Sequence, residues 1–117
     1  MALPAEALSD ITPIIDRQHL RHMTLGDAAL EREVLQLFDR QAAMLVERIR
    51  AAEPAAVSTL AHALKGSARG IGAWHVAQAA GAIERGDEAA GAYDASLNAL
   101  TSAVAQVRVE IARILTG

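Results

Sequence analysis

The residues that could do chemistry together lie in one short run: His62, Lys65, Gly66 and Arg69. On a helix, where each residue turns by about 100°, Gly66 and Arg69 fall within about 40° of His62, and Lys65 falls within about 60°. One strip would then present an imidazole, two cations and a position without a side chain. A neutral imidazole is a nucleophile near neutral pH, and two cations beside it suit an incoming dianionic group such as phosphoryl. The strip therefore indicates a histidine that accepts phosphoryl.

Gly66 is the most informative residue of this strip. A glycine within a helix costs about 1 kcal/mol relative to alanine, yet the chain uses alanine at 27 of its 117 positions. Without a side chain, the position would leave the space over His62 open to a partner. We expect Ser58, Ala61 and Ser67 to lie on the same partner-facing surface. Taken singly, an exposed histidine is most often an ordinary surface residue, so the prediction depends on the conjunction.

The spacing of apolar residues predicts the helices that must position this strip. A short helix is expected over 14–23, a long one over 28–52, and others from Pro54 to 71, from about 74 to 85, and from 93 to about 114. Pro54 suits a first helical turn, and Gly86 suits a helix end. The positions expected to face the core are Leu30, Val34, Leu37, Phe38, Leu45 and Ile49, with Met44 flanking; Val57, Leu60, Leu64, Ala68 and Ile71; Val76, Ala79, Ala80 and Ile83; and Tyr93, Leu97, Leu100, Val104, Val107, Ile111 and Ile114.

These elements predict an all-α fold, an antiparallel up-down-up-down four-helix bundle with a short extra helix near the N-terminus. We interpret residues 1–117 as a single domain, with an arm over 1–13, the short helix over 14–23 and the bundle over 27–115.

Composition excludes several classes of function. The chain has no cysteine, which excludes disulfides, thiolate zinc sites and cysteine nucleophiles. A net charge of −3 argues against a general nucleic-acid binder. No apolar run approaches the roughly 20 residues that span a bilayer, and the first residues lack the basic start of a signal peptide. We therefore expect a cytoplasmic protein without membrane association. We also expect a monomer, since one bundle would use all of the apolar seams.

The other three histidines are also candidates for a site. His19 and His22 stand three positions apart on one helix face, a spacing that two metal ligands could use. Asp16 is the only acidic candidate nearby, so we predict no metal site and interpret these histidines as solvated. His75 lacks the lysine and glycine neighbours of His62, so we do not expect it to accept phosphoryl.

The run from Ala61 to Ser67 resembles the signature of histidine-containing phosphotransfer (HPt) domains, A-H-x-L-K-G-[SA]. Gly72-Ala73 follows five residues later, and Ile83-Glu84 roughly ten further, as in that family. The resemblance spans Ala61 to Glu84, about a fifth of the chain.

This resemblance implies a four-helix bundle whose histidine, here His62, is phosphorylated on Nε2. Lys65 would be its electrostatic partner, Gly66 would keep the site open, and Gly72 would close the turn between the two central helices. Arg69 is added from the helical wheel and not from the motif.

The partners implied are receiver domains of response regulators and hybrid histidine kinases. Phosphoryl would come from an aspartyl phosphate on one receiver and pass to another. We expect no cofactor on this chain and no kinase activity, because Mg²⁺ and most of the catalytic groups should belong to the receiver. The alternative is a non-catalytic helical docking module for a receiver or kinase domain.

Overall fold

The computed structural model describes residues 12–86 and 92–117, and across these ranges the chain forms helices and no strand. The helices are α1 (Arg17–Met23), α2 (Ala28–Ala51), α3 (Pro54–Ile71), α4 (Trp74–Arg85) and α5 (Ala92–Thr116). From α2 onward each helix packs against the next, and α5 returns to α2, which closes a four-helix bundle. The short α1 packs on α3. The all-α four-helix bundle with an extra N-terminal helix is confirmed.

Local sequence explains where these helices begin and end. The Asp27 side chain accepts a hydrogen bond from the Leu30 amide at 3.1 Å and so caps the start of α2. Pro54 occupies the first turn of α3, where its missing N–H costs nothing. Gly72 and Gly86 end α3 and α4 in the left-handed conformation, with φ of 77° and 64°. The expected turn residues are confirmed at these positions.

The core confirms most of the expected apolar stripes. In α5, Leu100, Val104, Val107 and Ile111 are buried, and the rest of that seam packs against the core partly buried. In α3 and α4 the fully buried positions include small residues, because neighbouring helices approach closely there. The buried residues of α3 and α4 are Ala61, Leu64, Ala68 and Ile71, and Val76, Ala77, Ala80, Gly81 and Ile83.

The predicted stripe of α2 is partly wrong. Leu30, Leu37 and Met44, expected at or beside the core, are 39, 46 and 45% exposed. The helix instead buries Leu35, Phe38, Ala42, Leu45, Val46 and Ile49. Spacing alone could not separate the two faces, because both carry apolar residues at steps of three and four.

The N-terminal segment also departs from expectation. The helix predicted over 14–23 begins at Arg17, because Asp16 is its N-cap and accepts from the His19 amide at 3.1 Å. Ile15 is non-helical and buried. The Asp16 amide donates to the Gly72 carbonyl at 2.9 Å, which fixes this segment on the turn between α3 and α4. Most of the predicted arm, residues 1–11, lies outside the described residues.

Gly72 has to be glycine for two reasons. Its positive φ disfavours other residues, and a Cβ there would lie 2.8 Å from the Asp16 carbonyl oxygen. The close approach of α1's cap to the α3–α4 turn thus depends on this position.

Candidate functional site

His62 stands on the outer face of α3, with its side chain 69% exposed. Ala61 and Leu64, on either side of it, are fully buried in the core. The amphipathic pattern of α3 therefore sets which way the imidazole points. The predicted exposure of His62 agrees with this arrangement.

Glu84 on α4 joins His62 to Lys65. One carboxylate oxygen, Oε2, lies 2.5 Å from His62 Nδ1, and the other, Oε1, lies 2.5 Å from Lys65 Nζ. A carboxylate can only accept, so His62 bonds it through Nδ1–H. That hydrogen bond fixes the Nδ1–H form of the ring and leaves the Nε2 lone pair directed away from the carboxylate. The geometry produces an exposed imidazole whose free nitrogen is Nε2.

The charge of Glu84 is stabilised by the same two contacts. The Lys65 ammonium, and then the His62 ring, hold the pKa of this carboxyl below its usual value. Glu84 is therefore ionised throughout the neutral range, and Lys65 is paired to it rather than free. The predicted electrostatic partner thus reaches His62 through a shared carboxylate.

The bridging role of Glu84 was missed from the sequence, although Ile83-Glu84 formed part of the motif. Glu84 stands 22 positions from His62, so no spacing on one helix connects them. Only the packing of α4 on α3 brings the three side chains together. Gly81, one turn earlier on α4, lies beside the Lys65 stem: a Cβ there would be in ordinary contact with Lys65 Cδ at 3.5 Å.

The expected partner-facing residues divide into exposed and buried positions. Gly66 is exposed, and a Cβ built on it would meet nothing within 4 Å. Ser58 is exposed, and its hydroxyl donates to the Glu84 carbonyl at 3.2 Å. Ser67 is half-buried. Ala61 was expected on this surface, and that prediction is wrong, because its side chain packs into the core.

Arg69 lies farther along α3 with its side chain exposed. Its carbonyl accepts a hydrogen bond from His19 Nε2 at 2.8 Å. Within residues 12–86 and 92–117 its guanidinium has no ion-pair partner. Arg69 therefore shares the strip with His62 but not the Glu84 network.

Two of the other histidines, His19 and His75, hold the N-terminal segment, so the interpretation of His19 as solvated is wrong. His19 bonds the Arg69 carbonyl and packs against Trp74 with ring centroids 4.8 Å apart. His75 Nε2 donates to the Thr12 carbonyl at 3.1 Å. His22 is exposed. Over the part of the chain that the structure describes, no three histidine, aspartate or glutamate side chains are grouped to hold a metal ion.

Exposed recesses adjoin α3 near this site, and one of them, of about 390 Å³, is lined in part by Ser58 and Glu84. An apolar groove of about 300 Å³ lies between α2 and α3 and is lined in part by Leu30, Leu37 and Ser67. A polar cleft of about 560 Å³ lies between α3 and α4. Among the described helices, none is long and apolar enough to cross a membrane.

This fold and site define a phosphotransfer bundle, and the comparisons agree: the model of the Hpt domain family matches residues 33–112. The chain belongs to this family, and its role is histidine phosphotransfer in a two-component phosphorelay. It is similar to the crystal structure of histidine phosphotransferase ShpA from Caulobacter crescentus, with 28% identity and a TM-score of 0.71 over 89% of this chain and 92% of that one. No curated protein gives a significant match.

Proposed function

We propose that His62 is the phosphoacceptor and that Nε2 is the reacting atom. The observation that carries this proposal is the Nδ1–Glu84 contact of 2.5 Å beside a largely exposed ring. The Nε2 lone pair attacks the phosphorus of an aspartyl phosphate on a receiver domain. The N–P bond forms as the bond between phosphorus and the aspartate oxygen breaks, and the aspartate leaves as a carboxylate.

Glu84 would favour this step by its charge. Attack through Nε2 makes the ring cationic while Nδ1 still carries its proton, so positive charge develops 2.5 Å from a carboxylate. The same contact holds the ring in one orientation before the receiver arrives. In the return step, an aspartate of a second receiver attacks phosphorus, Nε2 leaves, and the ring is neutral again.

Lys65 would serve both states of the carrier. Before transfer, its ammonium is paired with Glu84. Once His62 carries phosphoryl, a dianionic group stands beside the same ammonium, which can attract the phosphoryl oxygens while keeping its contact with Glu84. Lys65 would then stabilise the phosphohistidine between partners, which the carrier must do alone.

The receiver would supply what this chain lacks. Mg²⁺ and the groups that bind the transferring phosphoryl are proposed to belong to the receiver, and this chain would have no kinase activity. The apolar groove between α2 and α3 favours protein docking here, since Leu30 and Leu37 leave apolar surface exposed next to the phosphoryl-bearing helix. Monomeric state and cytoplasmic location stay predictions. The monomer was expected because one bundle would use all of the apolar seams. Leu30, Leu37 and Met44 of α2 are exposed, so this reason no longer supports it.

Phosphoryl exchange with receiver domains tests the proposal. Receivers from the source organism, labelled on aspartate, would be mixed with the wild-type protein and with His62→Gln and His75→Gln variants. We expect acid-labile label on the wild-type and His75→Gln proteins, its passage to a second receiver, and none on His62→Gln. A docking module would bind receivers and take no label, and label on the His62→Gln protein would assign the acceptor elsewhere.

A further inference from the structure

The polar cleft between α3 and α4 adjoins the phosphotransfer site. Lys65 and Glu84, which are linked to His62, line it together with Arg69, Gln78 and Arg85. Trp74 also lines it half-buried, and its indole N–H donates to Asp16 at 3.0 Å. The cleft therefore joins the His62 network to two exposed arginines.

The charge in this cleft is unbalanced. Among the described residues that line it, three are cations, Lys65, Arg69 and Arg85, and one is a carboxylate, Glu84, which is already shared between Lys65 and His62. Neither Arg69 nor Arg85 pairs with any acidic side chain of the described ranges, 12–86 and 92–117. Two net positive charges are thus concentrated here in a chain whose net charge is −3.

This contrast favours one kind of partner. Exposed arginines without partners provide planar sets of donors for carboxylates, and they attract an acidic surface at long range. An extended polyanion would also meet the negative remainder of the chain, whereas a short acidic segment would meet only the cleft.

We infer that this α3–α4 cleft docks an acidic surface segment of the receiver and that Arg69 and Arg85 select among receivers. The inference rests on the proposed phosphotransfer at His62. With the apolar groove on the α2 side of α3 and the cationic cleft on the α4 side, a receiver would have one favourable orientation over Nε2. Arg69 and Arg85 then act on encounter and binding, not on the transferring phosphoryl group.

Steady-state transfer from a panel of phosphorylated receivers tests the inference. Arg69→Gln and Arg85→Gln would be compared with Arg113→Gln, and the double variant with Arg108→Gln/Arg113→Gln, controls that remove the same number of charges from α5, a helix that packs on α4 and α2. We expect the double variant to raise KM about three- to tenfold at low salt, with kcat little changed. The loss should shrink in high salt, and it should be largest for receivers with the most acidic surfaces. Glutamine leaves the backbone bond from His19 to Arg69 intact.

A chemical donor separates this inference from the proposed function. Phosphoramidate can phosphorylate a histidine without a receiver, so its rate should be the same in the wild-type protein and the double variant. If the double variant has the same kinetics with receivers as its α5 control, the docking assignment is overturned and His62 remains the proposed acceptor. An equal loss with phosphoramidate would also overturn it, because the arginines would then act on the phosphoryl itself. Failure of the wild-type protein to exchange with any receiver would instead refute the proposed function.

Discussion

In the proposed transfer, Glu84 determines which nitrogen of His62 reacts. It accepts from Nδ1–H on one oxygen and from Lys65 on the other, so one carboxylate fixes the ring, its tautomer and the position of the cation. An exposed histidine without such a partner would populate both tautomers and several rotamers. The reactivity of this site therefore depends on three side chains, of which only His62 has to be freely accessible.

Replacing Glu84 by glutamine tests this role. The amide oxygen can still accept from Nδ1–H, so the ring keeps its orientation, but the negative charge that stabilises its developing positive charge is lost, and the amide NH2 cannot accept from Lys65. We expect the transfer rate to fall about tenfold. Glu84→Ala should cost more, because orientation is lost as well. Single-turnover transfer rates would be measured for both variants, with circular dichroism as a check on folding. If both variants transfer at the wild-type rate, the Glu84 carboxylate does not contribute to transfer.

Substitutions at Gly66 should separate the access of a receiver to His62 from the folding of the bundle. A Cβ at this position would meet nothing within 4 Å, and leucine is the better helix former by roughly 0.5–1 kcal/mol. We expect Gly66→Leu to unfold at a higher temperature than the wild type and to lose most transfer from a receiver, because the side chain stands where the partner approaches. Gly66→Ala is the milder control. A destabilised Gly66→Leu protein with normal transfer would mean that the glycine serves packing.

At the scale of single residues, sequence reasoning succeeded where the information lies on one helix. The turn of about 100° per residue predicted that His62 faces outward and that Gly66 leaves the space beside it open. It could not reveal Glu84 as the partner, because that contact depends on the rotation and height of α4 against α3. Ala61 was misassigned for a related reason, since alanine is small enough for either the core or the surface and its type does not decide between them.

At the scale of elements, the segment before α2 acts as a clamp on the α3–α4 turn. Asp16 caps α1, bonds the Gly72 carbonyl through its amide and accepts from the Trp74 indole at 3.0 Å. His19 adds its bond to the Arg69 carbonyl. These contacts join the N-terminal segment to the ends of the two helices that carry the phosphotransfer site, so the clamp stabilises their packing.

The charge of Asp16 should make this clamp sensitive to acid. The Trp74 N–H, and then the His19 amide, hold the pKa of this carboxyl below its ordinary value of 3.8. The unfolded chain therefore binds the proton more readily, and the clamp's contribution is complete above pH 3.8 and is lost as the pH falls through the lower, folded-state pKa. Asp16→Asn removes the charge and leaves one acceptor oxygen in place of two, Oδ1 for the His19 amide and Oδ2 for the Trp74 indole. We expect it to lower the free energy of unfolding by about 1 kcal/mol at neutral pH.

Urea unfolding of both proteins from pH 7 downward would measure that difference. It should shrink toward zero as the wild-type carboxyl becomes protonated below pH 3.8. Other carboxylates, including Glu84 and Glu110, also have lowered pKa values and will destabilise both proteins alike in acid. A difference that is constant with pH would show that the Asp16 charge does not contribute.

The α2 helix shows where element-level prediction stops. Leu30, Leu37 and Met44 lie seven residues apart, a spacing typical of a buried seam, yet all three are exposed, and Leu30 and Leu37 line a groove. A docking face and a core face obey the same periodicity, because both are apolar. Only the assembled bundle distinguishes them, and that distinction matters for function because the exposed seam borders the helix that carries His62.

At the scale of the whole molecule, the bundle places Nε2 of His62, the proposed acceptor, between two surfaces of different chemistry. On one side of α3 lies an apolar groove, and on the other lies a cationic cleft. The all-α architecture was predictable because five runs of helical periodicity, separated by prolines, glycines and caps, leave few ways to close a core. The surfaces were not predictable, because each is built by two helices distant in sequence.

The most direct test of this account is to locate the phosphoryl group on the phosphorylated protein. Nitrogen-15 labelled protein, phosphorylated by a receiver, would be examined by long-range proton–nitrogen correlation spectra of its four histidines. We expect phosphorus coupling to Nε2 of His62 alone, with Nδ1 still protonated and hydrogen-bonded to Glu84. Phosphoryl on Nδ1 of His62, or on His19, His22 or His75, would contradict this expectation.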